Sequence, residues 1–253
     1  MEENKAENII HIEQGFGWFL GRFEDNKVHQ HYAVQLCIPL GGAIKLSPDG
    51  GELVTTKPVL IQPNVEHKLT STENNLLVLF NPLSPQGHFW NRLPTKPITE
   101  LDIPAVKEIK QAANSFLFTK EDKDKELLNQ TFRKYDCYCG EFVHAGDERI
   151  EKALAYLHRH ADRVVPLGEV AGHCSLSPSR FQHVFKETTG QSFRRAQLWT
   201  KMSHALPHLG KQSLTSLAHQ FGFADSAHFS RTFRENFGFS PRDLLKNSQF
   251  IQV

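Results

Sequence analysis

The sequence predicts an α+β protein of two domains, in which a strand-rich N-terminal part, a helical connector and an all-α C-terminal part follow one another. Three observations lead to this prediction. Short apolar stretches typical of strands lie before Pro82, apolar residues at helical spacing follow from Val106, and the second half contains two copies of one helical pattern. The 253 residues suffice for two domains of ordinary size, each with its own core.

The composition is that of a folded globular protein. Hydrophobic residues make up 39% and charged residues 23% of the chain. No apolar run reaches the roughly 18 residues that a membrane helix needs, and the N-terminus lacks the basic and apolar regions of a signal peptide. The four cysteines form no C-x-x-C pair, so neither a disulfide framework nor a zinc finger is indicated. We therefore expect a cytoplasmic protein that has no membrane partner.

The net charge of +1 conceals a difference between the two halves. Residues 1–144 carry 15 Lys and Arg against 19 Asp and Glu, a net charge of −4, whereas residues 145–253 carry 14 against 9, a net charge of +5. Eight of the fourteen histidines also lie in the second half. A basic half is consistent with a polyanionic partner, although this charge is too small to establish one.

The N-terminal elements are predicted to be strands. Their apolar stretches are rich in β-branched residues and are separated by Gly41-Gly42, Asp49-Gly50-Gly51 and Gln62-Pro63-Asn64. The predicted strands are 33–40, 43–46, 58–61 and 76–80. Short strands at close spacing favour a small barrel or sandwich. After residue 85, apolar residues at helical spacing predict helices over 106–117 and 125–135, joined by a charged surface run.

The C-terminal half contains an internal repeat. Matching positions are 47 residues apart up to Leu176 and Phe223, and 48 apart from Phe181 and Phe229 onward, so one inserted residue separates the copies. Each copy predicts a short helix, a break and a second helix held by a Phe-x3-Phe pair, which is helix-turn-helix geometry. The alternative is a duplicated helical hairpin that packs against itself.

A helical wheel divides each predicted second helix into an apolar and a polar face. The polar faces consist of donors that suit base edges or phosphates, together with one alanine. In the first copy the polar face comprises Ser179, Arg180, Gln182, His183 and Lys186. In the second copy it comprises Ala227, His228, Ser230, Arg231 and Arg234. A helix with such a face fits the DNA major groove, whereas the alternative is that these residues simply face water.

The second copy, LTSLAHQFGFADSAHFSRTFRENFGFSPRDLL, resembles the signature of AraC/XylS-type transcription regulators. The first copy resembles the first helix-turn-helix of the same family, so the resemblance covers roughly residues 147–245. It implies two units that read successive major-groove segments, joined by a rigid helix at about 192–209. Pro207 lies inside that helix, where a proline kinks or ends it.

The resemblance also implies which residues meet the bases. The positions that match the family's base-contacting ones are Ser179, Gln182, His183, Ser226, Ala227, His228 and Arg231. Two departures affect the expected readout. Family members often have Arg where His183 stands, and Ala227 offers only an apolar contact, for example to a thymine methyl group.

The N-terminal part resembles the cupin barrel, a common sensor in these regulators, over about residues 15–85. The matching residues are His29, His31, Gln35, Gly41-Gly42 and the run from Ile61 to His67. In metal-binding cupins, histidines and a glutamate at such positions converge on one divalent ion. Gln35 replaces the glutamate, so we expect His29, His31, Gln35 and His67 to serve an organic effector, with no metal or cofactor.

The sequence is therefore identified as a DNA-binding transcription regulator rather than an enzyme. The predicted parts are a cupin-like sensor (1–85), a helical connector used for homodimerisation (86–145) and a double helix-turn-helix domain (146–253). The partners implied are double-stranded DNA and a small-molecule effector. One alternative is a metal-dependent cupin enzyme with an accessory helical domain, and another is a structural helical module. Cys137 and Cys139 are interpreted as ordinary helical thiols, because no histidine lies at zinc spacing in the sequence.

Overall fold

The computed structural model describes residues 8–13, 15–23, 27–48, 51–93, 96–139 and 145–250. The chain divides into two compact units, the first formed by residues 1–140 with 235–253 and the second by residues 141–234. Within the described residues, no helix is long and apolar enough to cross a membrane. An antiparallel sheet dominates the first part of the chain and helices dominate the second, which confirms the predicted α+β class at this level.

The first unit is built on a sheet. Its strands are β1 (Asn8–Ile12), β2 (Phe16–Phe23), β3 (Val34–Pro39), β4 (Ile44–Pro48), β5 (Leu53–Thr55), β6 (Val59–Ile61), β7 (His67–Phe80), β8 (Ile98–Glu100) and β9 (Ser248–Phe250). The hydrogen-bonded order is β8-β6-β3-β7-β2-β1-β9, and β4 pairs with both β5 and β7. All these pairs are antiparallel except β1 with β9.

Strand β7 organises the sheet because it is long enough to pair with three others. Its end, toward Phe80, lies between β2 and β3, with Phe80 opposite both Phe16 and Val34. Its beginning pairs with β4, where His67 lies opposite Pro48. The sequence predicts only residues 76–80 of this strand, since the polar run before them lacks a continuous apolar signal.

Three helices of the first unit pack with the sheet. These are α1 (Pro85–Asn91), α2 (Pro104–Thr119) and α3 (Asp122–Lys134). Ile109, Phe116 and Phe132 are buried in one hydrophobic core with Trp18 and other residues of the sheet. The predicted boundary at residue 85 therefore falls inside a shared core, and the apolar stripes of the connector helices are covered within the chain.

The second unit is helical. Its elements are α4 (Glu148–Arg159), α5 (Leu167–His173), α6 (Pro178–Thr189), α7 (Phe193–Ala205), a 3₁₀ turn (Leu206–His208), α8 (Leu214–Gln220) and α9 (Ser226–Phe237), whose last three residues belong to the first unit. Helix α10 (Pro241–Asn247) and strand β9 follow. The C-terminal part is thus not all-α as predicted, because its last described residues form a strand. Helix α7 ends at Ala205, as the proline at 207 predicts.

The two repeat copies agree in backbone detail. Ser175 and Gly222, 47 positions apart, both have a left-handed φ, of 55° and 62°. The next backbone N–H in each copy, at Leu176 and Phe223, donates to a carbonyl five residues earlier at 2.9 and 2.8 Å. The inserted residue lies between Phe223 and α9, so the turn before the second helix is one residue longer in the second copy than in the first.

Candidate nucleic-acid interface and buried histidine cluster

Helix α6 is fixed by its apolar face and by its first turn. Phe181 and Phe185 are fully buried, with ring centroids 5.4 Å apart. The Ser177 hydroxyl accepts from the backbone N–H of Arg180 at 3.3 Å, and Pro178 occupies the first helical position, where no N–H is needed. The apolar side of α6 is therefore anchored, and its opposite side is left to solvent.

The predicted first-copy residues all lie on that solvent side. They are Ser179, Arg180, Gln182, His183 and Lys186, and each is exposed. The His183 Nε2 atom lies 3.7 Å from a carboxylate oxygen of Glu187, one turn along the helix. The face thus offers hydroxyl, amide, imidazole and two cationic groups, a donor set that suits phosphates and the acceptors of base edges.

Helix α9 repeats this arrangement with a different cap. The backbone N–H of His228 donates to Asp225 Oδ1 at 2.6 Å, and this bond is the main cause of a lowered pKa of the Asp225 carboxyl. Phe229 and Phe233 are buried, with ring centroids 6.2 Å apart. The positive N-terminal end of the α9 dipole also stabilises the ionised Asp225 carboxylate.

The predicted second-copy residues differ in how much of each side chain reaches solvent. Ala227, Arg231 and Arg234 are exposed, whereas Ser226, His228 and Ser230 are half-buried. The Nδ1 atom of His228 accepts a backbone bond from Ala224 at 3.4 Å. His228 therefore supports the turn as well as facing solvent, a role that the helical wheel does not reveal.

The histidines of the first unit converge on Gln35. His29 and His67 form a backbone bridge, and His31 lies two residues from His29 on the same chain segment. One ring nitrogen of each histidine lies within 4.8 Å of one in each of the others. The carboxamide oxygen of Gln35 lies 2.8 Å from His31 Nε2 and 3.3 Å from His67 Nε2. The structure thus brings together the residues that the cupin resemblance singles out, and their role as effector contacts stays a prediction.

Burial keeps this cluster uncharged at neutral pH. Desolvation lowers the pKa of His31 to about 4 and that of His67 to about 2, with the neighbouring imidazoles adding to the effect. Burial also lowers the pKa of His29 and raises that of the Cys37 thiol to about 12. The cluster thus consists of neutral imidazoles, one amide and one thiol.

The hydrogen-bond pattern allows two ways of filling the centre of the cluster. The Nδ1 atoms of His29, His31 and His67 lie 2.8–3.0 Å from backbone carbonyls, so each neutral ring donates there and keeps a lone pair on Nε2. With the Gln35 oxygen toward the rings, a shared cation would satisfy these acceptors. With the amide turned by 180°, its NH₂ group donates to the rings, and the Cys37 thiol donates to the amide oxygen.

Cys137 and Cys139 depart from the sequence interpretation. They follow α3, which ends at Lys134, and lie outside any helix. His88 of α1 lies beside them, although 49 positions separate it from Cys137 in the sequence. Spacing along the chain could not reveal this neighbour.

Comparisons of the sequence with known proteins match the helical region of the chain. Residues 170–247 match the family model of a helix-turn-helix domain. The chain is 37% identical over 108 residues to the HTH-type transcriptional activator RhaS of Klebsiella pneumoniae, covering 42% of this chain and 38% of that protein. It is 36% identical over 101 residues to RhaS of Citrobacter koseri, covering 39% and 36%. The chain thus spans less than two fifths of the length of these curated relatives.

The fold matches structures of ToxT from Vibrio cholerae. Apo ToxT of strain SCE256 aligns with a TM-score of 0.64 over 94% of this chain and 100% of that chain, at 14% identity. ToxT of strain O395 aligns with a TM-score of 0.60 over 93% and 98%, at 16% identity. At these identities the likeness concerns the fold alone. The sequence matches and the fold likeness agree with the expected resemblance to this extent: the chain carries a helix-turn-helix region like that of the RhaS activators, and an N-terminal sheet domain precedes it in the sequence.

Proposed function

We propose that this protein is a sequence-specific DNA-binding transcription regulator. The observation that carries the proposal is the duplicated pair of helices, in which α6 and α9 each bury a Phe-x3-Phe face and expose a polar, basic one. An α-helix of this kind fits the major groove of DNA. The relatives described as RhaS are transcriptional activators, which supports the same class of function.

In this proposal both helix-turn-helix units contact DNA, the first through α6 and the second through α9. The residues proposed to face DNA are Ser179, Arg180, Gln182, His183, Lys186, Ser226, Ala227, His228, Ser230, Arg231 and Arg234. Arg231 is exposed and has the fork geometry that suits a guanine edge, so we assign it to base readout. Lys186 is assigned to phosphate, because an ammonium group is a point charge without directional pairing.

We further propose that the N-terminal domain is a cupin-like sensor of a small molecule. The four buried polar residues His29, His31, Gln35 and His67 are the proposed effector contacts. ToxT structures contain (E)-4-(8-methylnaphthalen-1-yl)but-3-enoic acid in one case and an unsaturated fatty acid in another, which supports effector binding in this fold. An effector can control DNA binding only if it binds two arrangements of the chain with different affinity.

The test of the main proposal is selection of genomic DNA fragments by the purified full chain. One enriched sequence motif is expected, with log K falling against log salt by about 0.9 per phosphate contact. Lys186→Ala should weaken binding to all fragments alike. Arg22→Ala, which removes an exposed arginine from β2 in the first unit, is the matched control and should bind as the unchanged chain does. Fragments without a common motif would contradict sequence-specific binding.

A metal-dependent cupin enzyme is the second candidate, favoured by the convergence of three imidazoles. We expect this cluster to purify mostly without metal, since Gln35 contributes no negative charge and the turned amide completes the hydrogen bonds without an ion. Elemental analysis of protein purified without a chelator or a histidine tag tests this. Near one transition-metal ion per chain that His31→Ala or His67→Ala removes would favour the enzyme.

A further inference from the structure

A second group of metal-ligating side chains lies at the junction of α1 and the segment after α3. It consists of His88, Cys137 and Cys139, whose donor atoms all lie within 4.8 Å of one another. The Cys139 Sγ atom is 3.6 Å from His88 Nδ1. This cluster shares no residue with the histidine cluster around Gln35, and the DNA-binding proposal makes no use of it.

Hydrogen bonds of Cys137 and Tyr138 hold the turn that carries the two cysteines. The N–H of Cys137 donates to the carbonyl of Pro85 at 3.2 Å, which ties the segment to the beginning of α1. Tyr138, between the cysteines, has a left-handed φ of 51°, a conformation that is unfavourable for a non-glycine residue. Its N–H donates to Asp136 Oδ1 at 2.8 Å, and its hydroxyl donates to the carbonyl of Lys134 at 2.7 Å. The turn that places both sulfurs near His88 is therefore held at several points.

The support beneath this cluster belongs to the core of the first unit. Tyr135, at the end of α3, packs on Phe89 and Trp90 of α1, with ring centroids 5.8 and 6.3 Å apart. Trp90 is fully buried and stacks on Phe80 of β7 at 5.4 Å. Gly87 allows α1 to lie directly on the preceding turn, since a Cβ there would come within 1.7 Å of the Asn81 carbonyl oxygen. The side chains of α1 are thus positioned by packing rather than by solvent-exposed loops.

The donor set selects a class of metal ion. Two sulfurs and one imidazole nitrogen are the ligands that Zn²⁺ takes in tetrahedral sites, with Zn–S of about 2.3 Å and Zn–N of about 2.0–2.1 Å. In a tetrahedron of those bond lengths, sulfur and nitrogen ligands stand about 3.6 Å apart. The distance between Cys139 Sγ and His88 Nδ1 equals this value. Hard ions such as Mg²⁺ and Ca²⁺ prefer oxygen ligands and do not suit the set.

We propose that His88, Cys137 and Cys139 form a binding site for a zinc-type divalent ion, with solvent as the fourth ligand. Binding forms two metal–sulfur bonds and one metal–nitrogen bond, and the two thiols release two protons to solvent as they become thiolates. Cys139 is exposed, so both the ion and water can reach the site. The site lies immediately before the position at which the chain passes from the first unit to the second. This inference is independent of the DNA-binding function.

The test uses Co²⁺, a spectroscopic substitute for zinc, titrated into the full chain after reduction and removal of metal. We expect thiolate-to-cobalt charge transfer and the strong visible bands of four-coordinate cobalt, saturating at one ion per chain and displaced by Zn²⁺. Cys139→Ser and His88→Gln should each weaken binding by more than the roughly 10- to 100-fold that loss of a supporting outer partner costs.

Two controls keep this result specific. His31→Gln removes an imidazole from the histidine cluster around Gln35, and His219→Gln removes an exposed imidazole from α8. Both should leave the cobalt spectrum unchanged. No charge-transfer band in the reduced chain, or a band that persists in both Cys137→Ser and Cys139→Ser, would overturn the proposal. So would cobalt binding that only His31→Gln abolishes. Because Cys139 is exposed, its serine variant keeps the fold, which far-ultraviolet circular dichroism checks.

Discussion

Arg231 is the single residue on which we expect base preference to depend most. Its side chain is exposed on α9, on the side opposite the buried Phe229 and Phe233. Arg231→Ala should cost about 1–3 kcal/mol of binding free energy at one base position and relax the preference there, because a bidentate contact is lost. Competition assays with operators changed at one base pair at a time measure this effect.

Lys186→Ala provides the comparison for Arg231→Ala. A lysine that contacts phosphate should lower affinity for every sequence by a similar factor and reduce the salt dependence by about one phosphate contact. If Arg231→Ala leaves both affinity and base preference unchanged, the groove-facing side of α9 has been assigned wrongly.

His31 should make the stability of the first unit depend on pH. Burial lowers its pKa to about 4 in the folded chain, against an ordinary value of 6.5, so the unfolded chain binds the extra proton as the pH falls. Stability is therefore full above pH 6.5 and decreases down to about pH 4. Between pH 7 and 5, His31 should contribute about 2 kcal/mol of this loss.

Urea unfolding of His31→Gln measures that contribution. The free energy of unfolding should depend less steeply on pH than in the unchanged chain, whatever the variant's absolute stability. His219→Gln, which removes an exposed histidine, should keep the original pH dependence. A His31→Gln variant with an unaltered slope would contradict neutral burial of this imidazole.

The resemblance to the cupin motifs predicted the histidine cluster, and in the structure its members lie on two chain segments that pair through a bridge. His29 and His31 share a segment, and the run that ends at His67 returns to pair with it. The sequence did not assign Cys37 to the cluster, because a single cysteine in an apolar strand is not distinguished from the aliphatic residues beside it. The zinc-type site was missed for a different reason: it depends on α1, a short helix without a periodic apolar signal, which carries His88.

At the scale of elements, the turn between α8 and α9 depends on glycine at position 222. Its φ is 62°, and a Cβ there would lie 2.8 Å from Arg163 Cα and 2.9 Å from the Asp162 carbonyl oxygen. Gly222→Ala should therefore lose more than the about 1–2 kcal/mol that a left-handed alanine costs, because the backbone of residues 162–163 must also move.

Gly190 offers a matched control for this prediction. Its φ is 73°, and no described atom lies within 4 Å of a Cβ built there. Gly190→Ala should therefore show only the conformational cost. The free energy of unfolding, measured for both variants in urea, separates the steric part from the conformational part. Equal losses in the two variants would show that the turn before α9 is not packed against residues 162–163.

Elements with a clear apolar period were predicted, and those without one were not. The helices predicted over 106–117 and 125–135 correspond to α2 and α3, with ends that differ by one to three residues. The predicted strands did not include β1, β2, β5, β8 and β9. Four of these have only three to five residues, too few to show alternation, and in β2 the apolar residues 18–20 follow one another without alternating. The repeat offsets place the inserted residue between Phe223 and Phe229, and the structure shows that it lies in the turn before α9.

At the scale of the whole molecule, the division of the chain differs from the one that composition indicates. The apolar stripes of α2 and α3 predict a separate connector, but they are buried with the sheet in one core. A periodic apolar face shows that a helix packs, not what it packs against. Likewise, residues 235–253 belong with the first unit although they follow the basic helical part. The sequence did not predict this, because the parallel pairing of β9 with β1 leaves no signal in the local sequence.

Homodimerisation stays a prediction, and its structural basis changes. With the inner faces of α2 and α3 covered, the outer faces must supply the contact. Phe118 is 91% exposed and Leu127 49% exposed, and these side chains of α2 and α3 are among the large apolar ones that solvent reaches. Exposed apolar side chains of this size are common at protein interfaces. We therefore expect the full chain to sediment as a dimer at micromolar concentration.

The double variant Phe118→Asp with Leu127→Asp should shift this dimer to monomer, because two carboxylates would have to be desolvated in the interface. The monomer should still bind a half-site. It should bind the full operator more weakly, because a second DNA-binding domain is no longer tethered nearby at a raised effective concentration. Val54→Asp, which places a carboxylate at a 61% exposed valine of β5, is the control and should remain dimeric. Sedimentation that finds the unchanged chain monomeric, both free and on DNA, would remove the dimer from the proposed mechanism and leave a single chain to read the whole operator through α6 and α9.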